Sequence, residues 1–152
     1  MEVETLRDVL HWTQQFHRRL NECLTLGAGQ HVDERARMIL AYLADHEKLL
    51  TQVVSGFEQS GNEHALNTWC YEYVQKHPIV DQGDCDPPFA ELSAEQIIER
   101  VIAQHGEVIA LYRHLASKES LPAARELLES LSGLEEHEMM RMAQTVNRFS
   151  DL

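Results

Sequence analysis

The feature that most constrains this chain is the spacing of its apolar residues. They recur at helical steps of three and four along nearly the whole length and nowhere alternate as a half-buried strand requires. Leu6, Leu10, Thr13, His17, Leu20 and Leu24 form one stripe, widened by Val9, Phe16 and Cys23. Ile39, Leu43, His46, Leu50, Val53 and Phe57 form a second. Ile98, Ile102, His105, Ile109, Tyr112 and Ala116 form a third, and a fourth runs from Leu127 through Leu131, Leu134, Met142 and Val146 to Phe149. The punctuation agrees: Asp33 suits an N-cap, Ser93 and Gln96 have capping-box spacing, and Ser120 with Pro122 suits a first turn. Gly27 and Gly29 are expected to stop the first helix. The predicted helices cover Thr5–Leu24, Val32–Gln59, Ala94–Ser117 and Leu121–Arg148.

The connections set the topology. A short Gly-rich loop joins helices one and two, and a short polar one joins helices three and four, so each pair is an antiparallel hairpin. The stretch between the hairpins, residues 61–92, is long enough to carry the chain back along a bundle. Its NEHALNTWCYEYV segment suits a short helix, with Trp69 and Tyr73 packing the crossover onto the bundle. The expected architecture is an all-α, four-helix bundle of two hairpins and one crossover, a single domain over 1–152.

Composition narrows the function classes. Lys and Arg number 13 against 25 Asp and Glu, a net charge of −12, which disfavours nucleic-acid backbones and anionic membranes. No apolar run approaches the roughly 20 residues of a membrane span. The acidic opening MEVETLRDVL lacks the basic head of a secretory signal, so a cytoplasmic protein is expected. Cys23, Cys70 and Cys85 are odd in number and widely spaced, which predicts neither a disulfide framework nor a zinc knuckle. Asp81, Asp84 and Asp86 read as a solvated acidic loop without EF-hand spacing, and Met139, Met140 and Met142 as adaptable packing.

Nine histidines is rich for this length. His17, His46 and His105 sit on the apolar stripes of three helices. A faint internal echo, LADHEK in helix two against LEEHEM in helix four and FHRRL against LYRHL, places His137 opposite His46. Four inward imidazoles in one layer, with Glu138 beside His137, suit iron, zinc or manganese. The plainer reading of each His is a core residue bonded to a carboxylate or a carbonyl.

The segment IAQHGEVIALYRHLASKESLPAARELLESLSGLEEHEMMRM resembles the ferritin-like superfamily, in particular its short rubrerythrin-like members. Tyr112 and His137 match the Tyr and His of that helix-turn-helix, and His46 matches the His of the first half. The resemblance implies a metal-binding bundle with iron-handling or oxidoreductase chemistry. It departs where the family has metal-bridging Glu, since Leu43 and Leu134 stand three residues before the two histidines. His105 replaces the inward Glu before Tyr112, and the echo gives Leu10 as its counterpart in helix one. The resulting expectation is a mononuclear His-rich metal site of His46, His105 and His137, completed by His17 or Glu138, with Glu135 as an alternative assisting carboxylate. The alternative is a metal-free bundle acting as a dimerisation or protein-interaction module. A homodimer is the expected assembly, and neither a substrate nor a catalytic residue is implied.

Overall fold

The computed structural model describes residues 3–70, 85, 87–118 and 120–150. Four long helices dominate: α1 Leu6–Gln30, α2 Glu34–Ser60, α4 Ala94–Lys118 and α5 Pro122–Ser150. The crossover contributes a one-turn helix, α3 Glu63–Leu66, and a 3-10 turn at Phe89–Glu91. The fold is an all-α bundle, and no strand occurs among the described residues. Each start has its chemical reason. Thr5 and Asp8 close a reciprocal capping box on α1, Asp33 accepts from the Ala36 N–H on α2, and Ser93 and Gln96 do the same for α4 as their spacing predicts.

The first helix runs past its expected stop, through Gly27 and Gly29, and ends at the His31 cap. Gly27 is there for space rather than for a turn. A Cβ at that position would lie 2.8 Å from the Phe89 Cβ, so its absence lets the 3-10 turn lie against the helix. His31 then ties the hairpin loop to the crossover. Its Nδ1 accepts from the Asp33 N–H at 3.0 Å, and its Nε2 donates to the Leu92 carbonyl at 2.7 Å.

Side-chain pairs fix the helix directions. Tyr42 meets Phe149 while His46 meets Glu138, so α2 and α5 run antiparallel. Tyr112 reaches Thr13 while His105 lies beside His17, so α1 and α4 do the same. With antiparallel hairpins, α2 and α4 must point the same way, and the crossover has to climb the bundle. Its described residues meet α1 at three successive heights. A lone antiparallel bridge joins Thr5 to Trp69 near the start of α1, Cys85 meets Cys23 further up, and Phe89 rests at Gly27.

Two sequence expectations change here. Cys23 and Cys85 form a disulfide, with Cα atoms 5.5 Å apart, while Cys70 is buried with its thiol turned to the Thr68 carbonyl. Their 62-residue separation concealed the pairing, because only the climb of the crossover brings them together. Trp69 is 60% exposed, and the crossover is held instead by backbone bonds, Leu6 N–H to Thr68 carbonyl and Cys70 N–H to Glu4 carbonyl, above buried Ala65 and Leu66. The expected short helix forms only at Glu63–Leu66 and is not continued over 67–70, while Tyr71, Tyr73, Asp81, Asp84 and Asp86 lie outside the described residues. Among the described residues, no helix is long and apolar enough to cross a membrane.

Candidate metal centre

Each long helix sends one ionisable side chain into the middle of the apolar core: His17 from α1, Glu47 from α2, His105 from α4 and Glu135 from α5. All four are completely buried. They form a closed cycle. His17 Nδ1 meets Glu47 at 2.7 Å and its Nε2 meets Glu135 at 2.5 Å. His105 Nδ1 meets the other Glu135 oxygen at 3.2 Å, and its Nε2 meets the other oxygen of Glu47. Every ring nitrogen thus faces a carboxylate oxygen, a group that can only accept while ionised. With both carboxylates ionised, all four contacts are hydrogen bonds when both histidines carry both protons. Two imidazolium cations then balance two carboxylates.

The electrostatics follow from that cycle. Burial by itself would depress the pKa of His17, but the charges of Glu135 and Glu47 override it and raise it from 6.5 to about 10. His105 is likewise penalised by burial, yet Glu47 and the bond to Glu135 raise it to about 9. Burial opposes ionisation of Glu135, and the two imidazoles nonetheless hold it down at about 2. Glu47 is also lowered, by His105 and His17 against its burial. Phe16 closes one side, with its ring edge-on to both His17 and His105. Beside the cycle, Tyr112 donates to Thr13 Oγ1 at 2.8 Å, and Thr13 passes the bond to the Leu10 carbonyl.

His17 and His105 are therefore brought together, with ring centroids 5.3 Å apart. The other expected residues lie elsewhere. His46 sits at the edge, against Tyr42 and paired with Glu138 at 3.0 Å. His137 is on the exposed face of α5 and joins nothing in the cluster. A layer of four inward imidazoles does not form, because Glu135 and Glu138 occupy the inward positions of that stretch and His137 falls between them. Glu47, the neighbour of His46, is the residue sequence reasoning missed. Glu135 entered only as an assisting group.

A signal for both glutamates was present. His17 and Glu47 are 30 positions apart, and so are His105 and Glu135. One common offset therefore carries 17 to 105 and 47 to 135, and the hairpins repeat each other around the cluster. The echo of FHRRL and LADHEK uses slipped registers instead, which pair Leu10 with His105 and His46 with His137. In the register set by the cluster, the bridging-Glu positions are Glu47 and Glu135, not Leu43 and Leu134.

Di-metal carboxylate bundles take one Glu from each of two helices and a Glu-x-x-His from each of the other two. Here His17 and His105 stand at the first pair of positions. Glu47 and Glu135 are kept in the second pair, followed three residues later by Leu50 and Glu138. Two carboxylates and two neutral imidazoles carry charge for one divalent ion and leave two such ions strongly uncompensated. Ligand atoms of His17, His105 and Glu135 already lie within 4.8 Å of one another. The donor set fits a single divalent ion and not a two-metal cage.

No family model matches the sequence, and no curated protein matches it significantly. Among solved structures, the chain is similar to a Thermotoga maritima protein described as a ferritin-like diiron-carboxylate protein. The TM-score is 0.65 with 12% identity, covering 94% of this chain and 95% of that one. The fold is ferritin-like.

Proposed function

We propose that this chain is a ferritin-like metal-binding protein that holds one divalent ion among His17, Glu47, His105 and Glu135. The observation that carries the reading is the cluster itself: two imidazoles and two carboxylates, one from each long helix, converging in the buried core. Such a donor set suits iron, manganese or zinc. A bound ion would supply Lewis-acid chemistry, and iron or manganese would add one-electron exchange. The chain's own part is to fix four ligands on rigid helices and exclude water around them. Iron as the bound ion is supported by the description of the structural neighbour as a diiron-carboxylate protein, and iron handling or an oxidoreductase activity is proposed as the finer form of this reading. Homodimerisation is proposed with it.

One observation favours a second reading, a metal-free interaction module. The cycle satisfies itself, since four donors meet four acceptors with no charge left over. A cytoplasmic location is also kept as a proposal, against which the Cys23–Cys85 disulfide weighs, because such bonds persist mainly in oxidising compartments.

Elemental analysis of untagged protein, with melting temperature measured before and after chelation, separates the two. The metal reading expects about one ion per chain and a clear loss of melting temperature on chelation. Metal-free protein that gains no stability from added Fe2+, Mn2+ or Zn2+ would overturn it in favour of the module.

A further inference from the structure

The common offset between the hairpins extends beyond the four cluster residues, and the places where it fails fall together. Applied to the next positions, it pairs His46 with Leu134 and Leu50 with Glu138. The two polar members, His46 and Glu138, touch each other across the antiparallel α2 and α5. The two leucines take the corresponding places on the other flank. One flank of the cluster is therefore polar and the other is apolar, with Leu50 buried and Leu134 half-buried.

The polar flank also leads outward. The side chains of His46 and Glu138 are 13% and 9% exposed, whereas those of the cluster are 0%. Glu138 lies one turn from Glu135 on the same face of α5, so its carboxylate is the next anionic group beyond the buried one. Its Oε2 faces His46, and its Oε1 meets the exposed guanidinium of Arg141 at 3.3 Å. Only the Arg141 end of this pair is solvated and its contact is long, so an arriving cation can take the place of the guanidinium on the buried carboxylate. The net charge of −12 concentrates cations around the molecule as a whole.

We propose that His46 and Glu138 form the entry station through which a divalent cation reaches the His17–Glu47–His105–Glu135 cluster, since the leucine flank offers a cation no ligand. The inference rests on the metal-binding reading. The station offers one imidazole and one carboxylate, enough to replace part of an ion's hydration shell at the rim and too few to retain it against the four ligands inside. Glu138 acts on the rate of arrival and the cluster on the final affinity.

The test follows Co2+ uptake by the metal-free full-length chain, using the visible Co2+ bands in stopped flow and an equilibrium titration. The double variant His46→Leu/Glu138→Leu copies the leucine flank, and Glu138→Gln keeps the shape while removing the charge. Both are expected to bind the same single equivalent at equilibrium, with uptake slowed about tenfold or more in the double variant and less in Glu138→Gln. Should the double variant fail to fold, Glu138→Gln alone decides. Unchanged uptake rates overturn the station. Loss of the equilibrium site in the variants also overturns it, by making Glu138 a ligand of the final site. Wild-type protein that takes up no Co2+ retires the metal reading itself, and the station with it.

Discussion

The hairpins α1–α2 and α4–α5 place the same residue types at the cluster and different ones immediately beside it. His17 and Glu47 in the first are repeated as His105 and Glu135 in the second, with the same separation. One step away the likeness ends: Thr13 and Tyr112 share a buried hydrogen bond, whereas their counterparts Val101 and Leu24 are apolar. His46 and Glu138 pair opposite a flank made of Leu134 and Leu50. The difference shows which positions the bundle core holds rigidly. A buried charge tolerates only a partner of opposite sign, so the four cluster residues constrain one another and repeat together. The flanks carry no such mutual constraint, and there the two halves have diverged into a polar and an apolar side.

The largest expected effect comes from breaking the cycle at one member. His17→Leu and His105→Leu each leave two buried carboxylates with half their partners, and each is expected to cost about 3–5 kcal/mol in the metal-free protein. Urea denaturation measures both. Equal losses would establish that the hairpins contribute alike, and a large inequality would break the comparison. Replacing all four by leucine removes the uncompensated charge, and this variant is expected to be no less stable than the wild type while binding no metal.

An intermediate effect is expected from pH. His17 and His105 titrate at about 10 and about 9 when folded, above their usual 6.5. Their contribution is full below about pH 6.5 and is lost as pH rises through 9 to 10. Glu47 and Glu135 are lowered from 4.5, Glu135 to about 2, so their contribution is full above about pH 4.5 and is lost as pH falls towards 2. The metal-free wild type should therefore melt highest between about pH 4.5 and 6.5, and the four-leucine variant should show neither limb. A bound ion takes the place of protons on the imidazoles, so metal should flatten the alkaline limb. Melting curves across pH, with and without chelator, check all three statements.

The smallest effect sharpens the asymmetry beside the cluster. Tyr112→Phe removes a buried donor while Thr13 keeps its bond to the Leu10 carbonyl. The expected loss is about 0.5–1.5 kcal/mol, measured by denaturation with the pH profile unchanged. A shifted profile would instead make Tyr112 part of the charge network of Glu135.

Much of the architecture was legible because apolar period, caps and loop lengths are local properties of the chain. The helices α2, α4 and α5 begin and end within a few residues of where their stripes and caps place them. The end of α1 was not legible, since Gly27 reads as a stop until Phe89 is seen lying against it. At the site, His17 and His105 were found from their places on apolar stripes. Glu47 was not, because a carboxylate next to a stripe position looks like a solvated flank. His137 was misplaced for a related reason. Two helical turns, or nearly one, bring a residue back to about the same face, so a slipped register preserves the stripe and disguises the error.

The sequence by itself determined four amphipathic helices, their pairing into two hairpins, and a core enriched in imidazole. Those follow from side-chain periodicity and from short loops, which act over a few residues. Only the tertiary structure decided which charges meet. The facing of α1 against α4 and α2 against α5 closes two imidazoles on two carboxylates, and the climb of the crossover brings Cys85 to Cys23. Partners so far apart in the chain are chosen by packing and by the cost of leaving a buried charge alone, and neither is written in local spacing.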